Sequence, residues 1–94
     1  MNVVVMIPSH LRQYSGEQAR VALDGAARDV RAAMEMLRAV HPGVVARVLD
    51  EMGNVRPHVN IFVGTDNIRD LKGLDTPLKS PDEIFILPSV TGGC

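Results

Sequence analysis

The chain has 94 residues, 46% of them hydrophobic, which suits one compact domain and excludes disorder as a global state. Its 10 Lys and Arg nearly cancel 11 Asp and Glu, leaving no basic footprint for nucleic acid and no polybasic run for a membrane surface. A single cysteine, Cys94, excludes an internal disulfide and a cysteine-only metal cluster, and points to a reducing cytoplasm.

The opening Met1–Pro8 lacks a basic segment and a long apolar core, so no signal peptide is expected. No apolar run approaches the roughly 20 residues that span a bilayer. Val3, Val5 and Ile7 alternate with Val4 and Met6, a β-branched strand that stops at Pro8. His10 to Glu17 reads as a turn region centred on Ser15-Gly16, and Gln18 to Leu23 as a second strand with Val21 and Leu23 inward. The period then changes. Val30, Ala33, Met34, Leu37 and His41 form the stripe of an amphipathic helix, with Asp29 as its N-cap and Pro42-Gly43 as its end. A second short helical stretch places Val44, Val45, Val48, Leu49 and Met52 on one side, closed by Gly53-Asn54. Val59, Ile61 and Val63 point inward from a third strand, with Asn60 and Phe62 outward. Gly64 to Asn67 is expected to turn, Ile68-Arg69 to be briefly extended, and Ile84 to Leu87 to form the last strand. Residues 89–94 are small and unpatterned, a flexible tail beyond a domain spanning 1–88.

The resulting order, β-β-α-(α)-β-β-β, suits a mixed sheet packed on one main helix, an α+β roll of the β-grasp, ubiquitin-like kind. Its helix buries the stripe against Val3, Val5, Ile7, Val21, Leu23, Ile61, Ile84 and Ile86. There is no internal repeat, linker or low-complexity segment.

Catalytic and metal chemistry find little support. His10, His41 and His58 are far apart, and none has a ligand at metal-binding spacing. Ser9, Ser15, Ser80 and Ser89 lack a nucleophile-elbow context, and no phosphate-binding glycine loop exists. Adjacent acids at Asp50-Glu51 and Asp82-Glu83 diverge in regular structure and read as solvated surface. A ferredoxin of the same fold would need several cysteines. The Gly92-Gly93 pair stands apart: without side chains it can thread a narrow cleft, and Pro88 keeps the exit extended.

Taken in order, Val3-x-Val5-x-Ile7-Pro8, Leu11-Arg12 before Gly16, Val59-Asn60-Ile61 with Val63, Ile68-Arg69, and Ile84-x-Ile86-Leu87-Pro88-x-Val90-x-Gly92-Gly93 carry a resemblance. The chain resembles the ThiS/MoaD-type ubiquitin-like sulfur carriers over nearly its full length, most of all the branch serving cysteine biosynthesis. The resemblance implies a carrier rather than an enzyme. An E1-like adenylating enzyme, holding ATP and Mg²⁺ itself, would activate the Gly93 carboxylate. A sulfurtransferase or sulfide donor would convert it to a thiocarboxylate, and a downstream synthase would accept the sulfur. No cofactor is expected on this chain.

Cys94 departs from the family pattern, because it occupies the carboxyl of Gly93. Three readings remain open: a precursor trimmed by a JAMM-type zinc peptidase, a cysteine adduct left by an S-to-N acyl shift, or an appended residue. A ubiquitin-like modifier joined to lysines, or a non-catalytic β-grasp interaction module, are the alternative functions. Alternation also directs Val4, Met6, Phe62, Phe85 and Leu87 to the sheet face opposite the helix, a candidate docking patch. The competing expectation is that the loop from Asn67 to Ser80 folds over them.

Overall fold

In the computed structural model, which describes residues 3–25, 27–78 and 83–88, β1 (Val3–Met6) buries Val3 and Val5 and turns Val4 and Met6 to the other face. β2 (Arg20–Leu23) pairs with it antiparallel, setting Val3 opposite Leu23 and Val5 opposite Val21. The ladder thus starts at Arg20 rather than Gln18, although the Ile7 N–H still donates to the Ala19 carbonyl at 2.8 Å. Between the strands, the expected turn contains a 3-10 helix over Ser9–Tyr14 that buries Leu11. Arg12 Nε donates to the Ile7 carbonyl at 3.0 Å, and the fully buried Ser15 hydroxyl donates to the Gln18 carbonyl at 2.8 Å. Those bonds satisfy polar groups that would otherwise destabilise the interior.

α1 (Val30–Val40) begins at Asp29, whose carboxylate accepts from the Ala32 N–H at 2.8 Å. Val30, Ala33, Met34 and Leu37 are completely buried, as their spacing predicts. Burying one such leucine contributes about 1.5–3 kcal/mol. His41 does not continue the stripe. It is the half-buried junction to α2 (Pro42–Val48), where Pro42 occupies the first helical turn and needs no N–H partner. α2 buries Val44, Val45 and Val48, and Leu49 is buried just beyond its end, bridged to Val55. Met52, expected on the same side, is instead 84% exposed. The Asp50 carboxylate accepts from the N–H groups of Met52 and Asn54, both at 2.9 Å, and that turn throws Met52 outward.

β3 (Val59–Val63) carries buried Val59 and Ile61, with Val63 half-buried. The following turn is narrower than expected, since Asp66–Asn67 already pair back as β4. Ile68–Arg69 is not extended but enters a 3-10 turn, because the Asn67 side chain accepts from the Arg69 N–H at 3.0 Å. β5 (Glu83–Pro88) runs parallel to β1 and antiparallel to β3. The five-stranded order is β2-β1-β5-β3-β4, a mixed sheet wrapped on α1 in the β-grasp arrangement. Its core joins Val5, Ile61, Ile84 and Ile86 to the α1 stripe.

Candidate functional site

Strand registers decide which outward side chains become neighbours. β5 lies between β1 and β3, with Met6 opposite Phe85 and Phe85 opposite Phe62. These three form one row across three strands. Val4 stands two residues back from Met6 and beside Glu83, while Leu87 stands two residues on from Phe85 and beside Asn60. All five therefore share the face opposite α1, since their alternates Val3, Val5, Ile61, Ile84 and Ile86 fill the core. Val4, Met6, Phe62 and Phe85 are half-buried, and Leu87 is 43% exposed. Arg20 continues the row beyond Met6 and Asn67 continues it beyond Phe62, so the apolar strip ends in polar groups on both sides.

The described part of the following loop packs on the other side. Ile68 and Leu74 belong to the core that α1 closes. The Val30 N–H donates to the Thr76 carbonyl at 3.1 Å, and the Leu78 N–H to the Arg28 carbonyl at 3.0 Å. Residues 76–78 are thereby tied to the start of α1, whereas Asn67 and Arg69 each donate to the Asn60 side chain at 3.3 Å, beside Leu87 at the edge of the strip. Gly92, Gly93 and Cys94, together with the expected tail, lie outside the described residues. β5 delivers the chain toward them from Pro88, at the same end of the sheet as Leu87.

A groove of about 510 Å³ opens at that end, between the 3-10 helix, α2 and the start of β3. Leu11, Val59 and Ile86 lie in its buried floor, and His10, Arg47, Arg56 and His58 line it. The Arg47 guanidinium carbon sits 3.8 Å from the centre of the Tyr14 ring. Arg56 donates from Nε and Nη2 to the Ala46 carbonyl at 3.3 and 3.0 Å. Spacing along the chain hides this groove, because His10 and His58 are 48 positions apart (58 − 10). The topology explains the meeting: His10 follows the end of β1, and His58 precedes Val59, which pairs with Pro88. His41, at the helix junction, does not line the groove.

The other candidates are structural. Asp50 shapes a turn, and Ser15 closes another. Among the described residues, no group of three or more His, Cys, Asp or Glu could hold a metal ion, and no helix is long and apolar enough to cross a membrane.

Residues 5–93 match the model of the ThiS family. The chain belongs to the ThiS family. The sulfur carrier protein CysO of Mycobacterium tuberculosis is 36% identical over 95 aligned residues, covering 99% of this chain and 100% of its own. A chain in the crystal structure of the Amycolatopsis orientalis BexX/CysO complex is 30% identical and superposes with a TM-score of 0.85, covering 97% of this chain and 99% of that one. Small archaeal modifier protein 3 of Haloferax volcanii is 32% identical over 74 residues, 79% of this chain and 76% of its own. These relatives bear out the resemblance drawn from the motifs, and the fold is the β-grasp expected from the element order. They set this ThiS-family chain among small ubiquitin-like sulfur carriers rather than catalysts.

Proposed function

We propose that this chain carries sulfur as a thiocarboxylate on Gly93, within the cytoplasm, after activation by an E1-like adenylating enzyme. The observation that carries this reading is that the family match runs through Gly93 and stops just before Cys94. A carboxylate is a poor electrophile. The partner, supplying ATP and Mg²⁺, would transfer AMP to the Gly93 carboxylate and release pyrophosphate. Sulfide from a donor protein would then add to the acyl carbon and expel AMP, leaving the thiocarboxylate for a downstream synthase. The fold supplies a recognition body, and Gly92 and Gly93 supply an arm narrow enough for the partner's cleft.

In the sequence as it stands, Gly93 is joined to Cys94 by an amide and offers no carboxylate. Activation therefore requires cleavage of that bond, the work of a JAMM-type zinc peptidase, or else Cys94 is the cysteine product itself. The likeness to a small archaeal modifier protein favours a second use of the same activated carboxyl, attachment to lysines of other proteins.

Pyrophosphate release tests the proposal. A chain ending at Gly93, mixed with the adenylating enzyme and ATP, is expected to release it, and the chain carrying Cys94 is not. Adding sulfide should then raise the mass of the released carrier by one sulfur-for-oxygen exchange. Equal release from both chains, or no release from either, would reject the mechanism.

A further inference from the structure

Three carboxylates sit at the end of the strands opposite the groove cations. Glu83 opens β5, Asp66 pairs with Val63 at the far end of β3, and Asp24 follows β2 at that same end. At the end where β5 stops, the groove is lined by Arg47, Arg56, His10 and His58 and by no Asp or Glu. A formal net charge of −1 conceals this local excess of cations in the groove lining, although Asp50 and Glu51 lie with Arg56 in the neighbouring pocket.

The groove cations are also held in place. Arg47 lies against the Tyr14 ring, and Arg56 is fixed by its two bonds to the Ala46 carbonyl. The ion pairs among the described residues, Arg31–Asp75 and Arg38–Glu35, involve neither arginine. Two guanidiniums are thus oriented without a carboxylate partner, and little side-chain entropy remains to be lost when one arrives. The volume and the apolar floor suit a protein segment bearing several side chains better than a single small anion. Leu87 lines this groove and also belongs to the apolar strip of the sheet, so the two surfaces are continuous where the chain leaves for Gly92 and Gly93.

We propose that this groove is an electrostatic guide that docks an acidic surface of the adenylating enzyme and brings the tail-bearing end of the carrier in first. The inference rests on the carrier reading above and adds to it the chemistry of the partner surface and a kinetic role.

Association of the full chain with the adenylating enzyme, followed by stopped flow at low and high salt, tests it. Arg47→Gln with Arg56→Gln should lower the association rate about tenfold at low salt, with the dissociation rate little changed. High salt should erase the difference, because screening shortens the reach of the charges. His10→Glu with His58→Glu is the second variant. Both histidines are exposed, so fold is preserved, and the added negative charge should slow association in the same way. If the parent binds and both double variants associate at its rate, the groove has no guiding role while the carrier reading stands. If neither the full parent chain nor the parent ending at Gly93 binds at all, both fall together. Saturable binding of inorganic phosphate that Arg47→Gln abolishes, with unchanged association rates, would assign the groove to a small anion and overturn the proposal.

Discussion

Gly43 gives Tyr14 room that any side chain would crowd. A Cβ built there would stand 3.1 Å from Tyr14 Cδ1 and 3.2 Å from Tyr14 Cβ. Tyr14 has little freedom to retreat, since Arg47 covers its ring and Leu11 of the same turn is buried. Gly43→Ala sets a helix-propensity gain of up to about 1 kcal/mol against overpacking of about 1–3 kcal/mol. The expected outcome is a net loss of about 1 kcal/mol, measured as a lower urea midpoint with an unchanged slope. A midpoint that rises would mean that Tyr14 swings away and that the groove wall is soft. This contact was not legible in the sequence. Pro42-Gly43 reads as a helix stop, and nothing local shows that Tyr14 must approach from 29 positions upstream (43 − 14). Asp29 is the opposite case, because a cap acts within three residues and its carboxylate meets the Ala32 N–H as the local pattern implies.

Elements carry their information in periodicity, and periodicity survives only where the core reads it. The α1 stripe was legible because Val30, Ala33, Met34 and Leu37 meet the sheet and are wholly buried. Leu37→Ala should destabilise the domain by about 2–5 kcal/mol, seen as a lower urea midpoint. A loss below about 1 kcal/mol would mean that α2 and the sheet collapse into the cavity. Extrapolating the same stripes failed at their ends. His41 and Met52 fit the helical count, yet the chain leaves the helix before each, through the Pro42 junction and the Asp50 turn. Ile68-Arg69 failed for a related reason: Asn67 bonds the backbone two residues on and curls the segment, while Arg69 donates to the Val59 carbonyl at 2.7 Å and pins it to β3. Side-chain capture of the backbone sets these boundaries, and alternation does not encode it.

At the scale of the molecule, the outward strip was legible once strand order was assumed, because alternation fixes each face and the order fixes the neighbours. The groove was not, because its four charged or imidazole side chains come from the first turn, α2 and the approach to β3. The two surfaces meet at Leu87, yet their physics differs, and kinetics can separate them. Phe62→Ala and Phe85→Ala remove aromatic anchors from a row that the core does not need, so the domain should stay folded. Each should weaken binding of the adenylating enzyme by more than about 1 kcal/mol. The loss should appear in the dissociation rate and persist at high salt, because buried apolar contact is not screened. Groove variants should act on association and vanish with salt. Combining Phe85→Ala with Arg47→Gln should therefore give nearly additive losses at low salt, since one removes contact and the other long-range guidance. If both phenylalanine variants bind normally, or if their circular dichroism shows an unfolded chain, the strip is part of the folding core and the partner docks elsewhere.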